Sequence, residues 1–280
     1  MRIHRYASKD RMIEIPNAWE LLTPDVFVHL IRNLELYARQ QLSAEEVKIF
    51  FICDVMGWDL KKINDRQSWS RLQMMGEDVS FIFNKEGKIN SSFAAQLLPD
   101  LKIGDRTFSG YDINVKYGQL STSLTALQFI DAREVANGDD RILPLLAAIL
   151  YCPGRYDPED ILTMGRMFED VPLSRLQAIR FNFISFTNFI FMTPYFRILA
   201  TGKTDVKRKI SQGSKNGMYS VATVVGDLHS VEQMNLISYL DILRSKLIDA
   251  VMSLNNAKMK PGKIASELDL PVDIVTDILP

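Results

Sequence analysis

Hydrophobic positions in the first part of this chain recur at helical rather than strand spacing. Phe27, Leu30, Ile31, Leu34 and Ala38 fall on one face of a 3.6-residue helix. Thr23 stands ahead of them as an N-cap, Pro24 suits the first helical position and Asp25 complements the helix dipole. Ser43-Ala44-Glu45-Glu46 reads as a capping box that opens a second helix. That helix carries Val47, Phe50, Phe51 and Val55, and Gly57 stops it. A third helix is expected over roughly 60–75, around Ile63, Trp69, Leu72 and Met75. Residues 1–15 read as a leading arm, with a strand ending at Ile15 before Pro16.

The period then changes. Val79-Ser80-Phe81-Ile82-Phe83 is strand-like, Asn84-Lys85-Glu86-Gly87 has turn chemistry, and Ile89 to Phe93 can return antiparallel. Residues 99–120, with Pro99, Gly104, Gly110 and Gly118, read as a second ribbon or an irregular loop. Helical spacing resumes at a second capping box, Thr125-Ala126-Leu127-Gln128, and ends at Asn137-Gly138. Leu143 to Tyr151 is a compact apolar helix, and Asp157-Pro158-Glu159-Asp160 is another N-cap with proline just inside. After Pro172 comes a helix whose Phe181, Phe183, Phe186, Phe189 and Phe191 cover more than one face. Such a helix sits in the middle of a bundle or under a neighbouring subunit. A last long helix is expected from Ser230, with Gln233 completing a capping box. Its Leu236, Leu240, Leu243, Leu247, Ala250 and Leu254 alternate spacings of four and three, the mark of a heptad seam. A short helix at 264–268, a turn at Pro271 and a final helical turn close the chain.

One pattern occurs twice. A capped helix, an apolar helix and a turn ending in aromatic-Asp lead to Cys53…Trp58-Asp59 and again to Cys152…Tyr156-Asp157. The prediction is a mainly α fold, a helical bundle of two related helical units with a small β-hairpin insert between them. The expected divisions are an N-terminal helical unit (1–78), a hairpin and loop insert (79–120), a second helical unit (121–200), a basic linker (201–229) and a long helix with its tail (230–280).

Composition narrows the function classes. The chain has 280 residues, 47% of them hydrophobic and 24% charged, enough to bury a core. Its 33 basic and 34 acidic residues leave a net charge of −1, which argues against a whole-protein electrostatic grip on nucleic acid. Two cysteines in apolar surroundings point to a reducing compartment. The N-terminus lacks the apolar run of a signal peptide, and no stretch matches a membrane span. The nearest, 173–193, carries Arg175, Arg180, Asn182 and Asn188 and reads as a buried helix.

Candidate chemistry is thin. Gly202-Lys203-Thr204 resembles the end of a phosphate-binding loop, but Arg197 stands where the loop needs glycine and a helix precedes it where a strand is required. His4, His29 and His229 show no paired ligand spacing, and Cys53 and Cys152 read as small core residues. Asp157, Glu159 and Asp160 could pair as acid and base or hold a hard cation, yet acids in a first helical turn are explained by the macrodipole. No catalytic, cofactor or metal residue is therefore assigned. No enzyme activity, small-molecule substrate, cofactor or membrane partner is expected. The basic stretch 203–215 and the helix-turn-helix-like tail 263–275 define an alternative, a small nucleic-acid-binding regulator. Its final helix would be stunted.

Several segments carry a family resemblance. They are Ser123-Leu124-Thr125-Ala126-Leu127-Gln128-Phe129-Ile130-Asp131-Ala132, Leu145 to Pro153, the aromatic helix at 173–193, and Val225-Gly226-Asp227-Leu228 leading into Leu236-Ile237-Ser238-Tyr239-Leu240. Over 120–255, with a fainter echo in 20–60, the chain resembles tailed-bacteriophage proteins of the tail-assembly-chaperone-like or virion structural class. It departs at Cys152-Pro153, where a basic residue before proline is commoner in that family. The resemblance implies a non-enzymatic protein of the virion or the host-cell cytoplasm. Its partners would be other phage structural proteins or its own copies. Docking by apolar and aromatic surfaces would then use Phe186, Phe189 and Phe191 on the aromatic helix and Leu240, Leu243 and Leu247 on the terminal seam; each reads equally well as ordinary core, and two and a half heptads favour packing of the seam within the chain.

Overall fold

Side-chain caps open six of the described α-helices, whereas Thr23, the expected cap of the first, makes no capping hydrogen bond with its side chain and leaves Pro24 to start it. A computed structural model describes residues 3–7, 12–152, 155–200 and 215–279, and the chain is mainly α. The N-terminal arm is a hairpin rather than a single strand, with β1 (Ile3–Ala7) antiparallel to β2 (Met12–Pro16). Ile15 is fully buried. Next come α1 (Pro24–Ala38) and α2 (Ala44–Met56), packed side by side. The Ser43 capping box forms as the sequence suggests: the Glu46 amide donates to the Ser43 hydroxyl and the Ser43 amide to the Glu46 carboxylate. Gly57 ends α2 in the left-handed conformation, at φ 64°.

The third helix differs from expectation. It is α3 (Arg66–Asp78), preceded by a separate 3-10 turn at Leu60–Lys62. Two short acceptors divide the run: Asp59 takes the Lys61 amide and Asp65 takes the Ser68 amide. The expected strand pair at 79–93 reduces to one bridge, Phe83 to Ile89. Asn84 still builds its turn by accepting from the Glu86 and Lys88 amides. Residues 99–122 form two separate two-stranded ribbons. One pairs β3 (Asp100–Ile103) with β4 (Arg106–Ser109), and the other pairs β5 (Ile113–Lys116) with β6 (Gln119–Thr122).

The second helical stretch holds α4 (Ala126–Ala136), α5 (Leu143–Leu150) and α6 (Pro158–Met167). The aromatic helix is α7 (Leu173–Met192), followed by a single turn, α8 (Arg197–Ala200). Then come α9 (Lys215–Val225), α10 (Leu228–Glu232), α11 (Leu236–Asn256), α12 (Pro261–Leu268) and α13 (Val272–Ile278). The predicted start of the long helix at Ser230 is overturned. Asp227 caps α10 by accepting the Ser230 amide, and α11 begins only after its own cap, Asn235, which accepts the Ile237 amide. Gln233 closes no box; its side chain donates to the Tyr156 carbonyl. The separate start has a long-range cause. The caps Thr125 and Asn235 face each other in an antiparallel bridge, with the Ala126 amide on the Met234 carbonyl and the Leu236 amide on the Leu124 carbonyl. Two helix N-termini are thus tied back to back.

The α7 helix is the centre of the molecule. It packs against α1 on one side and against α4 and α5 on the other. Phe181 reaches a cluster with Trp19, Phe27 and Phe93, ring centroids 5.3 to 6.3 Å away. Phe183 and Phe186 meet Tyr111, and Phe183 and Phe191 meet Phe129. A helix apolar on several faces is explained by these two aromatic clusters. Its polar residues are used as ties. Asn182 accepts from the Leu97 amide and donates to the Ala95 carbonyl, both at 2.8 Å. Asn188 donates to the Ser91 carbonyl. Together they strap the extended segment before β3 along the helix. Arg180 pairs with Asp140 at 3.0 Å and Glu35 at 3.5 Å, joining α7 to both flanking helical regions.

Candidate docking surfaces

The predicted contact residues lie mostly inside. Phe186, Phe191, Leu240, Leu243 and Leu247 are buried in the chain's own core, and Phe189 is half-buried. In this fold the expected aromatic and seam contacts are therefore satisfied within the molecule. The physical reason for the seam is visible in its register. The buried positions of α11 are Leu236, Tyr239, Leu240, Leu243, Leu247 and Val251, while Ala250 and Leu254 are only half-buried. The buried stripe is broader than a two-position seam at its start and moves from position 250 to 251 at its end, as expected of a straight 3.6-residue helix packed in a globular core. The helix packs on α4, α8, α9, α12 and α13.

The candidate chemical groups also have structural work. Asp157 caps α6 by accepting the Glu159 amide at 2.9 Å, and Glu159 and Asp160 lie exposed in the first turn. Burial, with Asp54 beside it, pushes the Cys53 thiol up to about 11, and burial raises Cys152 too. Both shifts disfavour the reactive thiolate. Among the described residues no three His, Cys, Asp or Glu side chains gather to hold an ion. Among those residues no helix is long and apolar enough to cross a membrane. Gly202-Lys203-Thr204 and residues 203–214 lie outside the described residues; the α8 turn just before them is helical. In the tail, Asp269 makes the turn between α12 and α13 at φ 51°. The outward positions of α13 are Val272, Asp273, Thr276 and Asp277.

What the fold does present is relief. The two ribbons make the point. In β3–β4 the cross-strand pair Leu101 and Phe108 is 1% and 8% exposed, and Phe108 packs on Phe168 at 5.2 Å. In β5–β6 the matching pair is Val115 and Leu120, and Val115 is 48% exposed. The opposite face, Asn114, Lys116, Gln119 and Ser121, is polar and exposed. The connecting residues Tyr117 and Gly118 have φ of 52° and 76°, the signature of a type I′ turn. Glycine or asparagine normally takes the first of these positions, because a β-carbon there is strained. Here it is tyrosine, and its side chain is completely exposed. By sequence the segment reads only as a ribbon or irregular loop, and the Lys116-Tyr117-Gly118 triplet between alternating strands is the one local sign of its tip.

A second surface feature is concave. Gly57, Trp58, Asp59, Lys62, Ile63 and Ser68 line a cavity of about 380 Å³ where α2 ends and α3 begins. Trp58 and Ile63 are half-buried and form its apolar wall. The Trp69 indole donates to the Ile63 carbonyl at 3.1 Å and fixes the loop. Compared with known proteins, the chain matches no family model, no curated protein and no solved structure.

Proposed function

We propose that this chain is a non-enzymatic docking protein, a virion component or assembly helper of a tailed bacteriophage. It would work in the particle or the host-cell cytoplasm by contacts with phage structural proteins or its own copies. The family likeness in 123–132, 145–153 and 173–193 supplies the phage context. The observation that carries the docking reading is the tip of the β5–β6 ribbon, where Val115 is exposed and the turn ends in a fully exposed tyrosine at φ 52°. Backbone strain at an exposed tip is retained where the side chain has a use. In this reading the α1–α2 and α4–α5 pairs are two related units that hold α7 as a rigid spine. The predicted aromatic and leucine residues serve docking indirectly, by fixing the platform from which the surface features project.

Two outcomes separate this reading from its alternative. Mass spectrometry of purified particles, or of assembly intermediates from infected cells, is expected to detect the chain. Absence from both sinks the phage reading. The nucleic-acid alternative is disfavoured by Asp273 and Asp277 on the exposed face of α13, where a recognition helix needs basic or amide side chains. Retention on DNA that weakens steeply with salt would restore it.

A further inference from the structure

We propose that His4 is an acid-sensitive latch that holds the N-terminal hairpin, β1–β2, on the body of the chain. The latch is independent of docking. The hairpin needs one, because a two-stranded ribbon is marginally stable in water on its own. Its alternation puts His4, Tyr6, Ile13 and Ile15 on one face and Arg5 and Glu14 on the other. The first face turns to the body. Ile15 is fully buried, the Tyr6 hydroxyl donates to Asp78 at the end of α3 at 2.5 Å, and His4 meets Asn17 at 2.9 Å.

The Asn17 amide decides which charge state His4 must have. Its Oδ1 accepts the Ser80 amide at 2.9 Å and the Phe81 amide at 3.3 Å. Turned over, the group would set its own N–H donors against those two amides, so its orientation is fixed. Nδ2 then has both hydrogens in use, one on the Ser80 hydroxyl at 3.1 Å and one on Nε2 of His4. Nε2 must therefore accept, which only the neutral ring with its proton on Nδ1 allows. A protonated ring would set N–H against N–H and break the contact. The charged groups on the surrounding elements have other roles. Arg5 and Glu14 pair at 2.8 Å on the outer face, Asp78 holds the Tyr6 hydroxyl, and Asp54 of α2, which packs on β2, is held by His29 at 3.2 Å. Glu20 and Glu77 are exposed, and residues 79–81 carry no charge. Linkage sets the direction. An undocked arm takes up its proton near the ordinary imidazole value of about 6.5, and the docked arm resists it. Docking is complete above about pH 7.5 and weakens as pH falls below about 6.5. Release uncovers Ile15 and the Val55–Met56 end of α2, beside which Met12, Ile13 and Glu14 lie.

The test is amide hydrogen exchange of the full chain at about pH 7.5 and about pH 5.5, corrected for the intrinsic rate, with α7 as internal reference. Protection of 3–7 and 12–16 is expected to fall about tenfold at the lower pH while that of α7 holds. His4→Gln, which cannot titrate, should make the arm's protection equal at both. Asn17→Asp should reverse the sign, because a carboxylate accepts the Ser80 and Phe81 amides as before and a protonated His4 as well. The proposal is overturned if the wild-type arm is equally protected at both pH values, or if either variant loses protection as wild type does. A fall shared by α7 would be general acid unfolding and would overturn it too. Should Asn17→Asp fail to fold, the comparison of His4→Gln with wild type decides.

Discussion

The α7 helix and the β5–β6 ribbon are both apolar and aromatic, yet the fold uses them in opposite ways. The α7 helix packs against α1, α4, α5 and α8, and its asparagines are hydrogen-bonded to backbone. The ribbon packs Ile113 and Leu120 against the core, β6 touches α11 and the Asn235 amide group donates to the Thr122 carbonyl, while Val115 and the Tyr117 tip stay exposed. Hydrophobic richness alone thus fails to separate core from interface. The separating quantity is how far polar groups in the same segment are spent on the chain itself. In α7 Gln177, Arg180, Asn182 and Asn188 are, with the buried Ser185 hydroxyl left over, and in the ribbon the polar face looks outward.

The largest effect that would expose the core side is alkaline pH. Tyr111, Tyr151, Tyr156 and Tyr239 are buried, and burial is the leading cause that pushes each phenol above its ordinary value of about 10. For an acid raised in the folded state, the unfolded chain ionises first. Stability is therefore full below about pH 10 and falls as pH rises above it. Phenolate absorbance of these four should appear together with loss of helical signal; ionisation without unfolding would show them to be accessible. Next in size, Phe186→Ala should cost about 3–5 kcal/mol in denaturant melts, since it empties a fully buried site against Tyr111. A cost under about 1 kcal/mol would mean that α7 is not the centre of the core. Asn182→Ala should cost about 2–3 kcal/mol by orphaning the Leu97 amide and the Ala95 carbonyl. Smallest is Tyr117→Asn, expected to leave stability unchanged or raise it by up to about 1 kcal/mol as the turn relaxes. A large loss there would place Tyr117 in the fold's own support and sharpen the contrast out of existence.

Legibility followed the range of the forces. Caps at Ser43, Thr125 and Asp157 act over three residues, and each forms as its local pattern indicates. The mainly α character and the central burial of α7 were likewise readable from periodicity. The start of α11 was not, because Asn235 is selected by its bridge to Thr125, more than a hundred residues away. Core and contact could not be told apart for a related reason. Phe186 and Leu243 fit either role by sequence because they are apolar, and only the arrangement of Tyr111, Phe129 and the helices around α11 shows that they are buried within the chain. Tyr117 is one exposed side chain with no periodic pattern, and its meaning comes from a backbone angle and the absence of any covering element around it.

Hydrogen–deuterium exchange of the full chain, measured dilute and concentrated, tests the division between spine and ribbon tip most directly. The account predicts that α7 amides exchange slowly and identically at both concentrations, while amides at the 116–119 tip of the ribbon exchange fast when dilute. Protection that rises in α7 with concentration, with the ribbon unchanged, would contradict it.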